Sequence, residues 1–107
     1  MQKYKVNGRE IRQTVVEGAI DMLMERIDAL RTGESQFYTK EMIEAVSTNP
    51  SKQRLFLTSP TQIALSGIES EFNLRFHSGI VKIESSNLTV SVTVRNGTVV
   101  IIQFPQD

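Results

Sequence analysis

The spacing of apolar residues changes character along this 107-residue chain, from helical steps in the first half to strict alternation in the second. Few folds satisfy both patterns at once. Within residues 10–31, Ile11, Val15, Val16, Ala19, Ile20, Leu23, Ile27 and Leu30 recur at steps of one, three and four, so they fall on one face of a helix. Asn7-x-x-Glu10 has capping-box spacing at its start, and Arg31-Thr32-Gly33 supplies a stop. A second, shorter helix is expected over about residues 40–46. Thr39 is its N-cap, Glu41 sits in the favourable first turn, and Met42, Ile43, Ala45 and Val46 face inward. Asn49-Pro50 ends it, and Phe37 and Tyr38 are placed to staple the preceding chain onto a residue such as Ile43.

From Gln53 onward the period becomes two. Ile68, Ser70, Phe72, Leu74 and Phe76 alternate with Glu69, Glu71, Asn73, Arg75 and His77, which predicts a half-buried strand. His77-Ser78-Gly79 turns the chain into a strand over residues 80–84, and Ser85-Ser86-Asn87 turns it again. Leu88, Val90, Val92 and Val94 then alternate with Thr89, Ser91, Thr93 and Arg95. Asn96-Gly97 signals a tight hairpin, because a type I′ turn needs positive φ at both central positions, and residues 98–104 return. Residues 54–66 read as a strand at Leu55-Phe56-Leu57 followed by a turn at Ser59-Pro60-Thr61-Gln62, with a short capped helix as the alternative. Tyr4-Lys5-Val6 has the makings of a short edge strand, with Lys3 and Lys5 as the edge charges that discourage unwanted pairing.

One long amphipathic helix and a short second helix packed on a C-terminal antiparallel β-meander of four to five strands bury both apolar faces, giving an α+β two-layer sandwich. The chain has the length for one core, so residues 1–107 are expected to form a single domain, helical over about 9–48 and a meander over about 53–104. In outline this resembles the cystatin-like arrangement of a helix across a curved sheet. The inhibitory loop motifs of that group are absent, so the resemblance implies packing and no activity.

Composition excludes more than it assigns. Twelve Lys+Arg against twelve Asp+Glu leave no net charge to draw the chain onto nucleic acid or an anionic membrane. With no cysteine there are no disulfides, thiolate metal sites or cysteine nucleophiles, which fits a reducing, cytoplasmic setting. The N-terminus lacks a signal-peptide apolar run, and the longest wholly apolar stretch, residues 99–102, is far short of a membrane span. Asn87-Leu88-Thr89 and Asn96-Gly97-Thr98 match the glycosylation acceptor pattern, which has little meaning without a secretory route. Phosphate-binding glycine loops, His-Glu-x-x-His and calcium loops are missing, so no cofactor or metal is expected.

Two charged surfaces stand out. Glu10, Glu17, Asp21, Glu25 and Asp28 project within a sector of about 80° on the first helix. Such spacing repels mildly and is not one that helix stability selects, which makes Glu17, Asp21, Glu25 and Asp28 a candidate docking ridge for a basic protein partner. Lys3, Lys5, Arg9 and Arg12, with Tyr4 among them, are the best candidates for nucleic-acid contact, yet no helix offers a basic recognition face. The lone His77 has no partner in the pattern to make it catalytic, and Glu69 and Glu71 share a face with Asn73 and Arg75 that reads as polar exterior. The first helix has an apolar sector widened by Ile11, Met22, Ala29 and Met24, to be covered by the second helix or a second copy of the chain.

The expectation is a small non-enzymatic module, regulatory or accessory, that binds another protein and can act as a homodimer. Its rival is a small-molecule-binding or enzymatic domain with a pocket between helix and sheet, lined by Phe56, Phe72, Leu74, Phe76 and Phe104. Nucleic-acid binding through the basic N-terminus is the third reading.

Overall fold

Alternating valines and isoleucines in the last third of the chain form the sheet on which everything else rests. A computed structural model describes residues 3–32 and 37–104. In chain order these form β1 (Lys5–Val6), β2 (Arg9–Glu10), α1 (Thr14–Thr32), α2 (Lys40–Thr48), α3 (Pro50–Phe72), β3 (Gly79–Glu84), β4 (Thr89–Arg95) and β5 (Thr98–Gln103). The strands make one antiparallel sheet in the order β2-β1-β3-β4-β5, and the helices pack on it in an α+β two-layer arrangement.

Val81, Ile83, Val90, Val92 and Val94 point into the layer between sheet and helices, where they meet Ile20, Leu23 and Ile27 of α1 and Leu57 and Ile68 of α3. All ten are at most 3% exposed. Burial of each such side chain stabilises by about 1.5–3 kcal/mol, so this layer is the main source of fold stability.

The principal correction concerns residues 53–76. The expected strand, turn and strand are replaced by the 23-residue helix α3, so the change from helix to sheet comes after Phe72 and not near residue 50. Among the described side chains of α3 the buried ones are Leu57, Thr61, Ala64, Leu65 and Ile68, at helical spacing, and two of these five are small or polar. That dilutes the apolar signal, as does Pro60 inside the helix. The misleading alternation belongs to the helix end and the connection after it. Asn73, at φ 53°, closes α3 in the left-handed conformation. Its N–H donates to Ser70 O at 3.4 Å and that of Leu74 to Glu69 O at 3.1 Å, a Schellman pair.

The second correction lies at Asn7 and Glu10, which do not cap α1. Asn7 and Gly8 have φ of 50° and 84° and form the tight turn of the β1–β2 hairpin, matching Asn96 and Gly97 at 53° and 75°. α1 starts only at Thr14, and Ile11 is fully buried ahead of it. The residues about Tyr4 do join the sheet, but β1 lies between β2 and β3, so the edge is Arg9–Glu10. Gly33 lies outside the described residues.

The short helix forms as read: Thr39 Oγ1 accepts the Met42 N–H at 3.2 Å. It packs on α3. Phe37 lies beneath the Arg26 guanidinium at 3.8 Å, and Tyr38 stacks on Phe56 at 5.3 Å between centroids. Met24 and Ala29 are covered, whereas Val15 is 75% and Met22 40% exposed. Val15 therefore lies outside the stripe to which its spacing assigned it.

Candidate functional site

Three surfaces have enough character to act. The first is built by Lys3 and Tyr4, just ahead of β1, against Asp21 in the middle of α1. The Tyr4 hydroxyl donates to Asp21 Oδ1, and Lys3 Nζ lies 3.0–3.1 Å from both carboxylate oxygens. Burial raises the Tyr4 pKa well above the usual tyrosine range, and the hydrogen bond to Asp21 and that residue's charge add to the effect. Burial alone pushes Asp21 up, but the bonds from Tyr4 and Lys3 together with the lysine charge outweigh it and hold the carboxyl below its ordinary value. Both groups are thereby moved away from neutrality, where general acids and bases work. The trio is a clasp that fastens the N-terminal hairpin to α1.

The acidic ridge survives as a surface, with part of its charge already engaged. Glu25 and Asp28 are exposed and Glu17 and Asp21 half-buried. Asp21 is held by the clasp, and Asp28 lies 3.5 Å from Arg31 Nη1. The basic residues are dispersed. Lys3 serves Asp21, and Lys5 sits in the sheet between its cross-strand partners Glu10 and Glu84. The Arg9 guanidinium lies 4.0 Å from the Phe72 ring centroid, and Arg12 shares a groove with Arg9, Glu10, Gln13 and Glu71. Arg9 and Arg12 thus share one groove, while Lys3 and Lys5 line another with Tyr4 and Glu84.

His77 is exposed, and its backbone is what matters: the carbonyl accepts the Gly97 N–H at 2.8 Å, tying the α3–β3 connection to the last hairpin. Glu69 and Glu71, read as polar exterior, are specific acceptors. Glu69 Oε2 takes the Phe76 N–H at 2.7 Å, while Glu71 takes those of Arg12 and Gln13. Sequence gave no hint of these roles, because each depends on where α3 ends. Of the five residues set out for a pocket, Phe72, Phe76 and Phe104 pack at the margin of the core, Phe56 stacks on Tyr38 and Leu74 is exposed. Among the described residues no group of three or more His, Asp or Glu is arranged to hold a metal ion, and no helix is long and apolar enough to cross a membrane.

The third surface is the sheet face that the helices leave bare. Register places Ile80, Thr93 and Ile101 in one row across β3, β4 and β5, with Lys82, Ser91 and Gln103 in the next. Ile80 is 66% and Ile101 48% exposed. A further row carries Glu10, Lys5, Glu84 and Thr89. The carboxylates of the face thus lie toward β1 and β2, while the β4–β5 side is hydroxyl-rich and apolar apart from Arg95. No model of a known protein family, no curated protein and no solved structure matches this chain, so the cystatin-like outline gains no support from them.

Proposed function

We propose that this chain is a small, non-enzymatic binding module that serves a regulatory or accessory role by contacting another protein through the bare face of its sheet. The observation that carries the reading is the row Ile80, Thr93, Ile101, in which two large aliphatic side chains on β3 and β5 stand exposed on either side of a β-branched hydroxyl on β4. Exposed aliphatics grouped on a flat, rigid element are a common feature of interaction surfaces. The clasp adds indirect support, since its titratable groups are shifted away from catalytic use.

The test compares proteins captured by the chain from cells of its own source with those captured by the double variant Ile80→Lys, Thr93→Lys and by the ridge variant Glu25→Lys, Asp28→Lys. A partner lost only with the sheet variant, whose circular dichroism melt stays cooperative, supports the reading. A partner kept by the sheet variant and lost with the ridge variant moves the function to α1. A second reading, self-association, is favoured by Val15 and Met22, the exposed apolar pair on α1. A light-scattering mass that doubles with concentration and reverts in Val15→Lys would establish it.

A further inference from the structure

The two edges of the sheet differ. β2, at one edge, is two residues long and charged, and such a strand offers little for another chain to pair with. β5, at the other edge, is six residues long and reads Thr-Val-Val-Ile-Ile-Gln, without a charge or a proline. Five consecutive β-branched residues, Thr98 to Ile102, favour extended pairing, and in an antiparallel ladder alternate N–H and C=O groups of an edge strand point away from its neighbour.

Among the described residues, the charged side chains that contact β5 or pair with it across the ladder are cations. On the helical side Arg54 reaches the edge strand itself, its Nη1 lying 3.3 Å from the Val100 carbonyl oxygen. On the bare face Arg95 is the cross-strand partner of Thr98, and Lys82 stands farther in, in line with Ser91 and Gln103. The sheet's carboxylates, Glu10 and Glu84, lie on β2 and β3 in the row that ends at Thr89. Val100 is the extra residue of an irregularity in β5, between the pairs Thr93–Ile101 and Val94–Val99. Arg54 therefore holds the carbonyl of the residue in β5 that has no cross-strand register partner.

We propose that β5 accepts an extended, acidic segment of another protein as an added strand, with Arg54 as the gate. The inference deepens the protein-binding reading and rests on it. A guanidinium bonds a carboxylate more strongly than a neutral carbonyl, so an incoming strand bearing Asp or Glu draws Arg54 off Val100, whereas an uncharged strand has nothing to exchange for that bond. Side chains of an added strand alternate between the two faces, so acids at every second position all lie on one face and, in the matching register, all on the Arg54 side. A second copy of this chain is the poorer occupant, because pairing β5 with β5 brings two sets of the same cations together.

Hydrogen exchange of residues 98–103 in the intact protein provides the test, with a capped octapeptide alternating Glu and Val as the probe and its Lys-Val counterpart as the control. At a Glu-Val concentration about ten times Kd, exchange in β5 is expected to slow roughly tenfold, with no change for Lys-Val. The effect should shrink as salt rises. Arg54→Glu, at an exposed position, should reverse the preference, losing protection by Glu-Val and gaining it with Lys-Val. Equal protection by both peptides, protection by neither, or protection that grows with protein concentration alone would overturn the proposal. Ile80 and Thr93 lie on β3 and β4, so loss of a partner in their double variant without any β5 protection would sink the edge proposal and leave the face reading standing.

Discussion

Glu71 holds Gln13: the carboxylate in the last turn of α3 accepts the Gln13 N–H at 3.0 Å and the neighbouring Arg12 N–H at 2.9 Å. An anion is thereby fixed beside the positive end of α1 by a residue 58 positions away in the chain. Gln13 O in turn accepts the N–H groups of Val16 and Glu17 in the first turn of the helix.

Replacing Glu71 with Ala should destabilise the protein by about 1 kcal/mol, in the range of a lost helix cap. For a domain of this size that lowers Tm by roughly 4–8 °C. Glu71→Gln should fall between the two, since it keeps an acceptor and loses the charge. A Glu71→Ala melt that coincides with wild type would show that the contact is idle.

Thr61 is fully buried in α3, and its hydroxyl has no hydrogen-bond partner among the described residues. Valine has nearly the same shape without the polar atom, so Thr61→Val should be neutral or stabilising by about 1 kcal/mol, the penalty for desolvating an unpaired hydroxyl having been removed. Denaturation in urea will register this as a rise in midpoint with an unchanged slope.

Gly67 faces α1, and a Cβ there would lie 3.5 Å from Val16 Cγ1, an ordinary contact. Gly67→Ala is therefore expected to stabilise by roughly 0.5–1 kcal/mol through helix propensity. Gly67→Leu has no such room and should separate α1 from α3, costing about 1–3 kcal/mol as overpacking does. Thermal melts of the two variants should move in opposite directions.

The clasp sets both limbs of the pH profile. Tyr4 has its pKa raised above the ordinary 10.0, so its contribution is complete below pH 10.0 and is lost as pH rises through the folded value. Asp21 has its pKa lowered below 3.8, so its contribution is present above pH 3.8 and is lost as pH falls through the folded value. Tyr4→Phe should flatten the alkaline fall in Tm, and Asp21→Asn the acid one. Tyr38, raised mainly by burial and slightly opposed by the Arg26 charge, leaves a residual alkaline slope in Tyr4→Phe. Identical profiles for wild type and both variants would show that the clasp does not couple to folding.

The helix α1, the short helix with its Thr39 cap and the β3–β4–β5 meander with its Asn96–Gly97 turn were legible in the sequence because each is specified locally. α3 was not. Its buried face includes Thr61 and Ala64, chosen for close packing and not for hydrophobicity, while Leu55 and Ile63 stand exposed on the same helix. The apolar signal of α3 is thus spread around its circumference, and the residues 68–76 that look like a strand straddle its end. Asn7-Gly8 carries the same turn chemistry as Asn96-Gly97, but with only two residues of strand on each side its alternation is too short to see. Of the surfaces, the acidic ridge was visible from helical spacing alone. The bare-face row and the Arg54–Val100 contact depend on register and on α3 lying beside β5, neither of which a single strand's pattern contains.

The Asn7 side chain accepts the Lys82 N–H at 2.8 Å across 75 residues of chain. The N-terminal hairpin thus has no sheet to join until β3 has been made. At ordinary translation rates that is a delay on the order of ten seconds, during which Val6 has no core to enter. Both α1 and α3 precede β3 in the chain, so the helical layer is available as a platform on which the later strands, and then the β1–β2 hairpin, can be laid. Assembly therefore runs against the direction of synthesis at this one seam, and variants that weaken the hold of Asn7 on Lys82 should slow the final closure of the sheet more than its initial growth.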